Sequence, residues 1–218
     1  MTYQHSKRLK ITTLFLDVGG VLLSNGWDHH ARRRAARHFN LDWGEMEERH
    51  VLNFVIYETD KLTLQEYLGW VVFYKKRSFT RPEFWRFMCS QSKPCSEMIQ
   101  LMRKLKGKYG LKVIVLSNEA RELNHFRIHK FKLDEFVDAF VSSCLVRLHK
   151  PDPAIFRLAL DISLTPAQQI LYIENTPMFV QIAEGLGMRG IVHTDYESTL
   201  AKLAALGLQL GPSHLSGT

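Results

Sequence analysis

The sequence predicts an α/β protein: a parallel sheet of at least five strands with helices on both faces, interrupted after its first strand by an all-helical segment. Three observations lead there. Short apolar runs rich in Val, Ile and Leu alternate with amphipathic helical stretches, the pattern of strands buried on both faces and joined by crossover helices. Each run ends on a polar or charged residue: Asp17, Ser117, Ser142, Glu174 and His193. Between residues 25 and 94 the alternation stops, and this stretch holds all four tryptophans (Trp27, Trp43, Trp70, Trp85) and no convincing strand.

The first strand is the apolar run that opens at Thr13 and reaches Asp17, with Gly19-Gly20 directly after it. Glycines there let the backbone turn sharply and let a ligand approach the main chain. The helical segment follows, with helical periodicity over Ala31–Phe39, Glu45–Tyr57, Leu64–Tyr74 and Pro82–Met88. Thr63 with Glu66 reads as a capping box, and Thr80-Arg81-Pro82 as a helix start with proline in its first turn. Met98–Lys108 is an amphipathic helix ending near Gly110, and Lys112–Leu116 the second strand, followed by Ser117-Asn118. Glu119–Phe131 reads as a helix and Phe136–Val141 as the third strand. Asp152–Asp161 is a helix entered through Lys150-Pro151, and Gln169–Ile173 the fourth strand, ending in Glu174-Asn175. Pro177–Leu186 is a helix stopped by Gly187, Gly190–His193 a fifth strand, and Ser198–Leu206 a last helix stopped by Gly207. Domain limits follow: a sheet domain over residues 1–24 and 95–210, a helical domain over 25–94, and a Gly/Ser/Pro-rich tail over 211–218 expected to be mobile.

With 45% hydrophobic and 23% charged residues in 218, the composition is that of a globular protein. No apolar run reaches the roughly 18 residues of a membrane span, and Met1–Lys10 lacks the apolar core of a secretory signal. Cys89, Cys95 and Cys144 are too few and too far apart for a disulfide framework or zinc site, which points to a reducing cytoplasm. The net charge of +7 is spread along the chain, without the stripe or motif of a nucleic-acid binder. Its one dense cluster, Arg32-Arg33-Arg34, reads as a solvated helix face or as a patch for an anionic substrate.

In an open parallel sheet, ligands bind beyond the carboxyl ends of the strands. Asp17, Ser117, Lys150, Glu174 and Asn175 should therefore lie near one another. In order, Asp17 with its glycine turn, Ser117-Asn118, Lys150-Pro151-Asp152 and Glu174-Asn175 together resemble the four motifs of the haloacid dehalogenase-like superfamily, over about residues 11–207. The segment 25–94 resembles the helical cap of that family. Asp60-Lys61-Leu62-Thr63 and Val141-Ser142-Ser143-Cys144 resemble its epoxide-hydrolase phosphatase and sugar-phosphatase branch.

The resemblance implies a Rossmann-like core and a Mg²⁺-dependent phosphatase of a small phosphorylated metabolite, acting as monomer or homodimer without nucleic acid or membrane. It implies that Asp17 is the nucleophile and Lys150 its charge-neutralising partner. Ser117, Asn118, Gly19 and Gly20 would hold the phosphoryl group, and Asp17, Gly19 (through its carbonyl), Glu174 and Asn175 the metal. Ser117 could instead cap the helix after it.

Two positions depart from the family pattern. Gly19 stands where most of these phosphatases carry a general-acid aspartate, and Asn175 replaces one acid of the metal-binding pair. Trp27, Asp28, His29 and His30 follow the first loop closely enough to face the cleft, and His29 or His30 could supply the missing acid. A metal-independent dehalogenase-type hydrolase, or a catalytically weak binding protein of the same fold, are the alternatives.

Overall fold

The computed structural model describes residues 10–210. The first nine residues and the 211–218 tail, with the mobility expected of it, lie outside the described residues. Five strands, β1 (Thr13–Leu16), β2 (Lys112–Ser117), β3 (Ala139–Ser142), β4 (Ile170–Glu174) and β5 (Arg189–Val192), form one sheet in the order β3-β2-β1-β4-β5. Every neighbouring pair is parallel, and Leu16 lies opposite Val115 on one side and Ile173 on the other. The chain moves to β2 and β3 on one side of β1, then returns to β4 and β5 on the other. The carboxyl end of β1 is thus where the strand order switches direction, the place an open α/β sheet offers a crevice.

Strand residues alternate between two apolar layers because side chains along a strand point to opposite faces. Leu14, Leu16, Val113, Val115, Leu171 and Ile173 pack with α5 (Ser96–Tyr109) and α10 (Tyr196–Ala205). Phe15, Ile114, Leu116, Ile170 and Tyr172 pack on the opposite face with α8 (Pro153–Ser163) and α9 (Pro177–Gly185). Covering both faces is what makes the strands near-continuously apolar. Two further helices, α6 (Arg121–Lys130) and the four-residue α7 (Ser143–Val146), follow β2 and β3.

Between β1 and α5 lie only helices: α1 (His29–His38), α2 (Trp43–Glu58), α3 (Leu64–Val71) and α4 (Arg81–Ser90). Each starts on a side chain that accepts from an otherwise unpaired N–H: Asp28, Asp42, Thr63 and Thr80. The last two are complete capping boxes, with Glu66 and Glu83 reaching back. These helices share an apolar cluster around Tyr67, Leu68, Phe84 and Met88. The segment leaves and rejoins the sheet through two strands of chain held side by side: Leu23 bridges Pro94, and the Ser24 N–H donates to the Lys93 carbonyl at 2.8 Å.

Three expected elements differ. The third strand begins at Ala139, not Phe136, because Phe136 and Val137 are buried in a turn and Asp138 is tied to Val113 by both its N–H and its carboxylate. Helix α3 stops at Val71 rather than Tyr74. Helix α6 begins at Arg121 rather than Glu119, with Ala120 at its cap, so Ser117 and Glu119 remain in the loop beyond β2.

Candidate active site

Asp17 sits one residue past β1, with its N–H continuing the ladder to the Ile173 carbonyl at 3.0 Å. Its carboxylate is buried, and Lys150 Nζ donates to Oδ1 at 3.0 Å. The same ammonium donates to Glu174 Oε2 at 2.7 Å, and meets the Tyr172 hydroxyl and the Leu116 carbonyl, each at 3.2 Å. Tyr172 in turn donates to Glu174 Oε2 at 2.6 Å. One lysine therefore joins the ends of β1, β2 and β4. Burial raises the pKa of Asp17, and Lys150 and the Ser117 hydroxyl oppose the rise while Glu174 adds to it. Burial works against the Lys150 ammonium, but the two carboxylates outweigh it and its pKa is raised.

The turn after Asp17 is closed by Gly20 N–H to the Leu23 carbonyl at 2.7 Å. Gly20 has a φ of +76°, and a β-carbon there would lie 2.2 Å from the Asn175 amide, so no side chain fits. Asn175, assigned by the orientation that satisfies its hydrogen bonds, donates its amide nitrogen to Glu174 Oε1 at 2.8 Å and to the Gly19 carbonyl at 3.2 Å. This differs from the expected role of Asn175 as an oxygen donor. Its nitrogen faces the two acceptors because Glu174 and Gly19 offer only oxygens there. Asn118 is a positioning residue in this arrangement: its amide accepts from the Lys150 N–H at 2.8 Å and donates to the Lys150 carbonyl at 2.9 Å.

These side chains open into one cleft of about 690 Å³ that also takes in Trp27, Asp28 and Arg32 from the helical segment. His29 and His30 are not on its wall; both are exposed, and His29 lies 3.9 Å from Glu47. Arg32 parts company with Arg33 and Arg34: it turns inward, buried, and pairs with Glu47 at 2.5 Å while its neighbours stay at the surface.

Two pairs on the wall escaped the sequence reading. Glu119 and Arg127 form a buried ion pair, and Arg127 also donates to the Ser24 carbonyl at the junction of the helical segment. Burial pushes the Glu119 carboxyl up to about 7, against the pull of Arg127. Glu58, at the end of α2, meets His149 Nε2 at 2.7 Å, immediately before Lys150. A signal for Glu119 did exist: it is a carboxylate two residues beyond a strand-end serine. Arg127 and Glu58 carry no local signal.

Oxygen atoms dominate the donor set at the strand ends: the carboxylates of Asp17 and Glu174 and the carbonyl of Gly19. That chemistry fits a hard divalent cation such as Mg²⁺. No cluster of three or more His, Cys, Asp or Glu side chains suited to a metal occurs among the described residues. The fit is thus to a cation held by few charges.

The family model for haloacid dehalogenase-like hydrolases matches residues 11–187. A sesquiterpene phosphatase of Aspergillus oryzae, astK, is 29% identical over 115 residues, covering 52% of this chain and 58% of that protein. Bifunctional epoxide hydrolase 2 of Sus scrofa is 27% identical over 126 residues, covering 56% of this chain and 22% of that protein. The matches thus span less than two thirds of either relative. Among solved structures, a haloacid dehalogenase family enzyme of Bacteroides thetaiotaomicron superimposes with a TM-score of 0.73 at 18% identity, covering 85% of this chain and 95% of that one. That enzyme has also been crystallised with magnesium and inorganic phosphate.

Proposed function

The chain belongs to the haloacid dehalogenase-like hydrolases, and from that premise we propose that it hydrolyses the phosphate monoester of a small metabolite through an aspartyl-phosphate on Asp17. The observation that carries this reading is the buried Lys150 ammonium at 3.0 Å from a carboxylate that ends the central strand. The two relatives with phosphatase or hydrolase names and the neighbour crystallised with magnesium and phosphate support it.

Asp17 attacks phosphorus, the bond from phosphorus to the alcohol oxygen breaks, and the departing oxygen takes a proton. Water then cleaves the acyl phosphate, releasing inorganic phosphate and restoring the carboxylate. Lys150 favours the ionised form of Asp17 against the effect of burial and offsets negative charge on the phosphoryl group. The Ser117 hydroxyl and the main chain of the Gly19-Gly20 turn receive the phosphoryl oxygens, while Asn118 fixes the loop that carries Lys150. Gly19 cannot move a proton. Glu119 shares the cleft, accepts from Arg127 through Oε1 only and has its carboxyl pushed up to about 7, so a proton on its other oxygen is available and it takes the part of proton donor. Mg²⁺, held by Asp17, the Gly19 carbonyl and Glu174, would supply positive charge to the phosphoryl oxygens. Residues 25–94 act as a cap hinged where Leu23 and Pro94 pair, and the three free thiols suit the cytoplasm.

A second reading is favoured by one observation. The Asn175 amide already engages Gly19 and Glu174, which suits metal-independent displacement at carbon of the dehalogenase type. A phosphate-release screen over sugar, nucleotide, acid and alcohol phosphates, with and without Mg²⁺, separates the two when run beside a fluoroacid assayed for fluoride. Phosphate release that needs Mg²⁺ and vanishes in Asp17→Asn, with the variant still folded, is the expected result. Fluoride release without phosphate release establishes the second reading. More than a few per cent of wild-type turnover in Asp17→Asn removes that residue as nucleophile.

A further inference from the structure

The cap side of the cleft is lined by Trp27, Val51 and Phe54, and α6 and α9 add Leu123, Met178 and Phe179. Apolar contact begins at the reacting centre itself: the Phe179 ring lies 4.9 Å from Lys150 Nζ, and the Phe54 ring 6.0 Å from that of His149. Val51 and Met178 are 57% and 50% exposed, so the lining reaches the rim.

Charged and polar side chains do occur on these walls, and most of the charged ones are engaged by the protein itself. Asp28 accepts from the Ala31 N–H at 2.7 Å as a helix cap. Arg32 forms a two-pronged pair with Glu47 and a third bond to the Trp27 carbonyl. His50 meets the Tyr67 hydroxyl at 2.8 Å, and burial beside Arg32 holds its pKa down to about 3, so it is neutral. Glu58 is paired with His149 and Arg127 with Glu119, while the Tyr57 hydroxyl and Arg127 Nε are buried without a hydrogen-bond partner.

A polyhydroxylated ligand needs donors and acceptors to replace its water. Against groups already paired, its hydroxyls would be desolvated without partners, which is costly. A hydrocarbon gains from the same wall, because each buried methylene is worth about fourfold in affinity.

We infer that the phosphoester this cleft takes is that of an apolar alcohol, with an alkyl or aryl body lying against Val51, Phe54, Met178 and Phe179. This rests on the phosphatase reading for the phosphate end alone; the apolar wall speaks for the body whichever chemistry follows.

The test uses the full chain with Mg²⁺ and two series of equal phosphate content: methyl, butyl, hexyl and octyl phosphate, and glucose 6-phosphate with AMP. The expected result is a kcat/KM that rises about fourfold per methylene over the first several carbons. Octyl phosphate should exceed both polar esters by on the order of a hundredfold or more. Val51→Asn, at an exposed position that tolerates change, should flatten the chain-length dependence. Glucose 6-phosphate or AMP as the better substrate, or no dependence on chain length, overturns the inference. If no ester is hydrolysed, the phosphatase reading fails, and titration with butyl- and octylphosphonate decides this one. Tighter binding of the longer phosphonate upholds it, and equal binding or none overturns it.

Discussion

Replacing Lys150 by methionine tests whether the centre of the site is also a keystone of the fold. The ammonium lies 3.0 Å from Asp17 Oδ1 and 2.7 Å from Glu174 Oε2 and is 2% exposed. At an effective dielectric of about 20, each contact is worth about 6 kcal/mol of attraction. Most of that offsets the cost of burying three charges. Removing the cation alone leaves two buried carboxylates facing each other without compensation, for which the measured cost of breaking such a set is about 3–5 kcal/mol. In a chain of this size that lowers Tm by on the order of 6–20 °C.

The pH dependence gives the prediction its discriminating power. In wild-type protein burial already raises the Asp17 pKa, and Lys150 opposes the rise. Lys150→Met removes the opposition, so the folded variant holds its carboxyl proton to higher pH than the unfolded chain does. An acid with a raised folded pKa stabilises the fold below its unfolded pKa and loses that contribution as pH rises through the folded value. The deficit relative to wild type should therefore be largest near pH 7.5 and shrink towards pH 5. Asp17→Asn/Lys150→Met should recover part of it at pH 7.5. Urea unfolding of the three proteins at both pH values measures this. A loss below about 1 kcal/mol, or the same loss at both pH values, would refute the argument that Lys150 compensates two buried charges.

Asn175→Asp replaces an amide that donates to Glu174 Oε1 and Gly19 with a carboxylate that cannot. The variant should melt lower than wild type without metal, and gain more in Tm from added Mg²⁺; equal Mg²⁺ gains would place residue 175 away from any cation. Glu119 is held at about 7 against an ordinary value near 4.5, so wild-type stability should fall as pH rises from about 4.5 to 7. Glu119→Gln should flatten that slope and abolish an alkaline fall in kcat near pH 7; an unchanged kcat profile assigns the proton to another group. Hydrogen exchange should slow along α2 when phosphate and Mg²⁺ are added, if the cap closes on the site. Identical protection in both states would mean that the Glu58–His149 and Asp60–Arg121 contacts keep it fixed.

What was legible in the sequence is what a parallel sheet makes periodic. Asp17, Ser117 and Glu174 fall at the ends of apolar runs, and the register that sets Leu16 opposite both Val115 and Ile173 carries those ends to one edge. Lys150 needs one more step, since it reaches the edge from a loop held by Asn118. The strand expected at Phe136 failed because apolar residues report burial, and a buried turn pinned by Asp138 looks the same as a strand. The helical segment was legible in its caps, where Thr63 and Thr80 act over three residues, but the pairing of Leu23 with Pro94 that joins its two ends lies outside any window.

Charge was the least legible property, because its meaning lies in who is opposite. Arg32 reads as one of three surface arginines, yet the helix turns about 100° per residue and brings that one inward to Glu47, fifteen positions later. Glu119 finds Arg127 eight residues on, and Glu58 finds His149 across 91. The Arg32 and Glu58 pairings remove groups that a sequence reader would count as free to bind substrate. Counted by residue type, the wall of the cleft is rich in charge and suits a sugar phosphate. Counted by pairing, Arg32, His50 and Glu58 are engaged within the protein, and Val51, Phe54, Met178 and Phe179 add an apolar wall. The proposed apolar substrate therefore rests on the pairings and the apolar wall, and only the proposed reacting end on the motifs.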